Sequence, residues 1–154
     1  MSDFEFISPL DRPALLAIST PEWAAMATTF LKELGYKVHS VQNDADFVEK
    51  YGQVHFEIVI IEHNFTGVAL SENPVLHYIQ KLPMSQRRHA VFLLIGDSFG
   101  TLNGLVAFQQ SVHAVINYSE MALLGQLIQK VVSDNQLFLA AFMEAQKRAV
   151  SGTR

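Results

Sequence analysis

Two polar side chains that follow apolar runs are the groups of this chain best placed for chemistry. Residues 56–61 are apolar apart from one position and lead to Glu62, so the run predicts a buried strand with a carboxylate at its C-terminal end. A second apolar run, residues 90–95, leads into Gly96-Asp97-Ser98. A serine that follows a buried strand could act as an activated nucleophile. The sequence thus offers one carboxylate and one hydroxyl group as candidate reactive groups.

The Gly96-Asp97-Ser98 turn has two interpretations. It resembles the nucleophile block of the esterase family named for its Gly-Asp-Ser-Leu motif, which would make the chain a small serine hydrolase that uses Ser98. That family also carries an Asp-x-x-His pair near its C-terminus, whereas here Asp134 is followed by Leu137. The other interpretation is a polar turn between a strand and a helix, and the missing pair favours it.

Composition excludes several classes of function. The 154 residues are 49% hydrophobic and 17% charged, which is typical of one ordered globular domain. The net charge is 11 − 15 = −4 without a long basic run, so neither nucleic acid nor an anionic membrane is an expected partner. Because there is no cysteine and no closely spaced histidine pair, we expect no metal and no cofactor. The absence of a secretory signal and of a long apolar run predicts a cytoplasmic protein.

Apolar runs alternate with helical patterns five times along the chain. Thr20-Pro21 begins the first helix, Asn43 or Asp44 the second and Asn73-Pro74 the third, because these residues favour the first positions of a helix. The predicted strands are residues 14–18, 36–41, 56–61, 90–95 and 114–116. This alternation predicts an α/β fold with a doubly wound sheet of five parallel strands. Functional residues of such sheets lie just beyond the C-terminal ends of the strands.

The order of these elements resembles that of the receiver domains of bacterial response regulators, over about residues 13–132. The spacing from Pro21-Glu22 to Gly35-Tyr36 and the apolar strand that leads to Glu62 carry the resemblance. It implies the strand order 2-1-3-4-5 and a role in signal transduction by a two-component system. We therefore divide the chain into an N-terminal arm (1–12), a receiver-like domain (13–132) and an appended C-terminal helix (133–150).

The residues on which phosphoryl transfer depends in receivers are replaced in this chain. Receivers hold Mg²⁺ with two acidic residues and accept the phosphoryl group on an aspartate, which a hydroxyl-bearing residue and a lysine contact. The matching positions are Ile18 and Ser19 for the acidic pair, Glu62 for the acceptor, Ile95 (Gly96 if the match shifts by one) for the hydroxyl, and Asn117 for the lysine. Without the metal and the lysine, little stabilises the charge of a transferring phosphoryl group. The resemblance therefore implies a degenerate receiver that works without phosphorylation and is not an enzyme.

Glu62 itself has two interpretations. Its extra methylene group could place a carboxylate where the aspartyl phosphate of a receiver would lie, which would mimic the phosphorylated state permanently. Alternatively, Glu62 is a glutamate that points into solvent at the end of a strand.

Residues 119–150 keep a helical composition, and apolar residues recur there at spacings of three, four or seven. The main members of this stripe are Leu124, Ile128, Val131, Phe138 and Phe142. Ser133-Asp134-Asn135-Gln136 has the form of a capping box, which predicts a break and a second helix over about residues 134–150. That helix is too apolar for an isolated tail, so it packs on its own domain, on a second copy in a homodimer, or on a partner protein.

Receivers commonly bind partners through their fourth helix, fifth strand and fifth helix. By resemblance, this face and the C-terminal helix form the surface expected to bind a protein partner in a signalling pathway. The residues expected on it are Val106, Gln110, Gln126 and Phe138. The sequence thus predicts a phosphorylation-independent module for protein–protein interaction.

Overall fold

Five strands form one parallel sheet. They are β1 (Pro13–Ala17), β2 (Lys37–Ser40), β3 (Ile58–Glu62), β4 (Val91–Gly96) and β5 (Ala114–Asn117). Their order in the sheet is β2-β1-β3-β4-β5, which confirms the predicted fold class and strand order. The structure is a computed structural model that describes residues 11–152, so most of the arm predicted for residues 1–12 lies outside the described residues.

Six helices connect and follow the strands in the described residues. They are α1 (Pro21–Glu33), α2 (Asp44–Gln53), α3 (Pro74–Gln80), α4 (Met84–Arg87), α5 (Gly104–Gln110) and α6 (Leu124–Gly152). Short 3₁₀ turns cover Phe65–Gly67, Leu70–Glu72 and Tyr118–Leu123.

Helices cover both faces of the sheet. The strands β3 and β4 are buried along their whole length, because a central parallel strand with apolar side chains on both faces must be covered on both. One layer packs α2, α3 and α5 against the sheet, and the other packs α1 and the first turns of α6. The C-terminal ends of all five strands meet at one edge, called here the upper edge. The N-terminal ends form the lower edge.

Asparagine side chains begin three of the helices. Asn43, Asn73 and Asn103 accept hydrogen bonds from backbone N–H groups in the first turns of α2, α3 and α5. The helix α5 has only seven residues, because Asn103 begins it and Ser111 ends it in the left-handed conformation (φ 59°). The short helix α4, which follows Pro83, was not predicted.

The break predicted at residues 133–136 is wrong, because α6 is one continuous helix. Asp134 forms an ion pair with Lys130 one turn earlier (3.0 Å) and caps no new helix. No glycine or proline lies between residues 126 and 151 to interrupt the hydrogen-bond pattern. At 1.5 Å per residue the helix is about 44 Å long. The appended C-terminal helix is therefore the exposed continuation of α6.

Among residues 11–152, the first part of α6 packs against the sheet and α1. The buried residues of this part are Leu124, Ile128 and Val131, whose side chains join the same apolar cluster as those of α1. Beyond residue 132 most positions are exposed. The large apolar side chains exposed there are Leu137, Phe138, Phe142, Met143 and Val150. The C-terminal half of α6 therefore presents an exposed apolar surface within the part of the chain that the structure describes.

Candidate functional site

The carboxylate of Glu62 lies at the centre of a hydrogen-bond network at the upper edge. Its residue is fully buried (0% exposed). The backbone N–H groups of Ser19 and Thr20 both donate to Oε1, at 2.8 and 3.0 Å. The hydroxyl group of Thr20 donates to Oε2 at 2.6 Å, and the hydroxyl group of Tyr118 donates to the same oxygen. The interpretation of Glu62 as a solvent-facing glutamate is therefore wrong.

This network keeps the buried carboxylate ionised. Burial by itself raises the pKa of Glu62, but the hydrogen bonds from Thr20, Tyr118 and Ser19 together outweigh it and lower the pKa below its ordinary value of 4.5. The carboxylate also lies at the start of α1, where the partial positive charge of the helix favours an anion. The pKa of Tyr118 is raised by burial and by its contact with Glu62, so its hydroxyl group remains a donor.

Sequence reasoning missed both hydroxyl donors. Thr20 was read as the residue that caps α1, but its side chain makes no capping hydrogen bond and binds Glu62. Tyr118 follows β5 directly, and its local sequence gives no sign of a contact with Glu62. The sequence offers one indication of these contacts. Thr20 and Tyr118 both follow predicted strands whose C-terminal ends lie at the same edge of the sheet as Glu62.

Aromatic rings fill the space around this network. The ring of Tyr118 stacks on Trp23 of α1, with centroids 5.0 Å apart and planes 13° apart. His63 meets the ring of Tyr118 edge-on at 5.6 Å, and its Nε2 lies 3.7 Å from Asp97. The imidazole also covers Gly96 so closely that an added Cβ would lie 2.7 Å from Cγ of His63. Glycine is therefore the residue that this arrangement accepts at the end of β4.

The other residues predicted for the pocket have structural contacts. Ile18 and Ile95 are buried in the apolar cluster under α1 and α6. Ser19 accepts a hydrogen bond from the backbone N–H of Thr66 (2.7 Å), which ties the loop after β3 to the loop after β1. The side chain of Asn117 donates to the carbonyl group of Phe99 (2.8 Å) and accepts from Ser119. Of the five predicted residues, the structure joins only Ser19 to Glu62 by a hydrogen bond.

Asn73 is a further positioning residue that the sequence presented only as a helix cap. It is fully buried, and its amide group donates to the carbonyl oxygens of Glu62 and His63, at 3.0 and 3.2 Å. Its oxygen accepts from the first N–H groups of α3. Asn73 therefore fixes the C-terminal end of β3 against α3 and orients the residue that carries the carboxylate.

Ser98 lacks the partners of an activated nucleophile. It is exposed, and no hydrogen bond joins it to a histidine within residues 11–152. His63 faces Asp97 and Tyr118, while Nδ1 of His113 accepts from the backbone N–H of Phe92. The part of the chain that the structure describes also contains no cluster of three acidic or histidine residues able to hold a metal ion.

The four residues expected on the interaction surface have different environments. Val106 is half-buried against the core, and the carbonyl group of Gln110 accepts from Gln80 (3.1 Å). Gln126 is exposed, and Phe138 is 66% exposed beside the groove between α5 and α6. Only the last two therefore present side chains freely to a partner.

The sequence matches no protein-family model and no curated protein sequence. Similar structures include the chemotaxis response regulator CheY4 of Vibrio cholerae, with 14% identity, a TM-score of 0.61, and coverage of 79% of this chain and 98% of that one. A CheY-like response regulator receiver domain protein of Methanospirillum hungatei has 12% identity, a TM-score of 0.63 and coverage of 82% and 97%. NtrX of Brucella abortus, in complex with ADP, has 11% identity, a TM-score of 0.67 and coverage of 94% and 31%.

Within the described residues, no helix is both long enough and apolar enough to cross a membrane. The similar structures match the sheet order and the helical layers but share few residues with this chain. The chain therefore has the fold of the response regulator receiver domains.

Proposed function

We propose that the chain is a receiver-like module for protein–protein interaction in bacterial signal transduction, and that it works in the cytoplasm without phosphoryl transfer. One observation carries this proposal. The carboxylate at the acceptor position is buried, ionised and already saturated by hydrogen bonds from Ser19, Thr20 and Tyr118. A phosphoryl group would need both an accessible acceptor and stabilisation of its charge.

The residues around Glu62 favour a single fixed conformation of this site over one that switches between two states. Three aromatic rings pack around the network: the ring of Tyr118 stacks on Trp23 and meets His63 edge-on. The buried carboxylate supplies the negative charge that a phosphoryl group would bring only transiently. We infer that Glu62 holds the turn after β5 in one conformation, as a permanent substitute for the phosphorylated state.

Beryllofluoride with Mg²⁺ tests whether the pocket still accepts a phosphoryl analogue. Trp23 is the only tryptophan of the chain and stacks on Tyr118, so its fluorescence reports directly on this site. We expect no saturable change in the fluorescence of Trp23 during the titration, and no phosphorylated species by mass spectrometry after incubation with acetyl phosphate. A saturable shift that Glu62→Gln abolishes would contradict the proposal.

The proposed surface for partners includes α5, β5 and the exposed part of α6. Phe138 and Gln126 present their side chains there, and the groove between α5 and α6 has a volume of about 460 Å³. We further propose that the exposed apolar side chains of α6 pair with a second copy of the chain. Exposed apolar patches of this kind mark interaction sites in soluble proteins.

Substitutions on the exposed part of α6 test this pairing. We expect Phe138→Ser combined with Phe142→Ser to reduce the mass measured by light scattering from that of a dimer to that of a monomer, because both side chains lie beyond the packed part of the helix. Val48→Ser, which changes an exposed apolar residue on α2, is the matched control. Equal masses for the wild type and the double variant would contradict pairing through this helix.

A hydrolase that uses Ser98 is not favoured, because no observed contact activates the serine. Ser98→Ala is expected to leave any background hydrolysis of a simple ester unchanged.

A further inference from the structure

A groove with basic and apolar walls lies at the lower edge, on the side of the sheet covered by α3 and α5. It has a volume of about 390 Å³. We call it the basic groove, and its main lining residues are Leu82, Met84, Arg87, Arg88, Phe108 and Val112. It lies at the opposite edge of the sheet from the Glu62 network, and it adjoins the groove between α5 and α6, with which it shares the lining residue His113.

The basic groove is the cationic region of an acidic protein. Between residues 73 and 119 the sequence contains Lys81, Arg87 and Arg88 but only one acidic residue, Asp97, which follows β4 at the upper edge. The chain as a whole has a net charge of −4. Within residues 11–152, none of these three cations forms an ion pair. The groove therefore has positive charge that the domain itself does not neutralise.

Arg87 fixes the floor of the groove. Its guanidinium group donates to the carbonyl oxygens of Ile79 (2.9 Å) and Ser111 (2.5 Å). The same group stacks over the ring of Phe92 at 4.9 Å from the ring centroid. These contacts join α3, α5 and β4, so Arg87 is a positioned charge, while the neighbouring Arg88 is exposed.

Two large apolar side chains stand exposed beside these cations. Met84 is 65% exposed and Phe108 is 82% exposed, and both line the basic groove. Isolated exposed apolar residues are common, but two that line the same cationic groove are a specific combination. A ligand that is complementary to the groove would neutralise the charge of its arginines and cover the side chains of Met84 and Phe108.

We propose that the basic groove binds an acidic segment of a partner protein that carries aromatic or large aliphatic side chains. Carboxylates of the segment contact Arg88, Lys81 at the end of α3 adds positive charge beside the groove, and the apolar side chains of the segment pack between Met84 and Phe108. Two arginines in a small groove suit a short peptide segment better than the extended phosphate backbone of a nucleic acid. This inference rests on the proposed function as an interaction module, and it names an adjoining part of the proposed surface and the chemistry of its partner.

Fluorescence anisotropy with a labelled acidic peptide tests the proposal on the full chain. The probe is a ten-residue peptide of glutamates with two phenylalanines, and the control peptide has lysine in place of each glutamate. We expect saturable binding of the acidic probe only, with an affinity that falls as salt is added, because exposed charges are screened. No saturable binding of the acidic probe below about 1 mM would overturn the proposal.

Substitutions of residues that line the basic groove test whether the peptide binds there. Arg88→Glu and Phe108→Ser are each expected to weaken binding at least about tenfold. Lys32→Glu, an exposed cation on α1 in the opposite layer, is the matched control and is expected to change binding less than about twofold. Circular dichroism checks that each variant is folded. Equal losses for Arg88→Glu and Lys32→Glu would show non-specific charge attraction and overturn the site.

The test also separates this inference from the proposed function. Glu62→Gln is expected to leave peptide binding unchanged, because Glu62 lies at the opposite edge of the sheet. A saturable fluorescence response to beryllofluoride would refute the phosphorylation-independent function while peptide binding remained intact. If the acidic peptide does not bind and beryllofluoride causes no fluorescence change, only the proposed binding site in the basic groove is refuted.

Discussion

Glu62→Ala is expected to lower the free energy of unfolding by about 3 kcal/mol, because it leaves several donors at the upper edge without their acceptor. Ser19 and Thr20 lose the partner of their backbone N–H groups, and Tyr118 loses the partner of its hydroxyl group. Urea unfolding followed by the fluorescence of Trp23 measures the change. Glu62→Gln keeps one oxygen acceptor and is expected to cost about 1 kcal/mol.

Glu57 supplies a matched control for the loss of a carboxylate. It lies on the same segment, but it is half-exposed and pairs with Arg12 at 3.1 Å. Exposed ion pairs contribute little, so Glu57→Ala is expected to cost less than about 1 kcal/mol. If Glu57→Ala and Glu62→Ala cost the same, the network around Glu62 is not a significant source of stability.

The pH dependence of unfolding gives an independent test of the ionised state of Glu62. Its pKa is lower in the folded protein than its ordinary value of 4.5. A depressed folded-state pKa contributes stability that is complete above the unfolded value and is lost as the pH falls through the folded value. The difference in unfolding free energy between the wild type and Glu62→Gln is therefore expected to be constant above about pH 5 and to shrink below it. A difference that grows on acidification would contradict this assignment.

Gly96→Ala is expected to lower the free energy of unfolding by about 2 kcal/mol, because the added methyl group overlaps two rings. It would lie 2.7 Å from Cγ of His63 and 2.9 Å from Cζ of Phe99. Both rings must shift to make room for the methyl group. A shift of His63 disturbs its edge-on contact with Tyr118. Gly100→Ala is the matched control, since no atom lies within 4 Å of an added Cβ there.

A second substitution identifies the neighbour that causes this cost. If His63 is the main obstacle, Gly96→Ala is expected to cost at least about 1 kcal/mol less in a His63→Ala background than in the wild type. Thermal and urea unfolding of the four proteins in this cycle give the coupling. Full additivity of the two substitutions would show that His63 does not determine the requirement for glycine.

Local sequence patterns determined the architecture of this protein. Apolar runs such as residues 58–61 have no polar face, so they form central strands that are covered on both sides. Asn43 and Asn73 could be predicted to begin helices because a cap acts on N–H groups only two or three residues away. Signals of such short range leave little for distant contacts to alter.

Local signals failed where a competing contact was available. The capping pattern at residues 133–136 did not end α6, because Asp134 pairs with Lys130 inside a segment that lacks glycine and proline. The helix therefore continues to Gly152, and its apolar side chains emerge beyond the domain. The pairing of these side chains with a second copy depends on contacts between two chains, and it stays a prediction.

The environment of Glu62 was decided by the tertiary structure alone. The sequence placed a carboxylate at the end of β3, but Thr20 lies 42 residues before it and Tyr118 lies 56 residues after it. Their meeting depends on the register that sets Glu62 beside Ile95 and brings three strand ends together at the upper edge. Residue types at separate strand ends specify which groups are available, while only the packed sheet and its loops determine which hydroxyl reaches the carboxylate and which ring fills the remaining space.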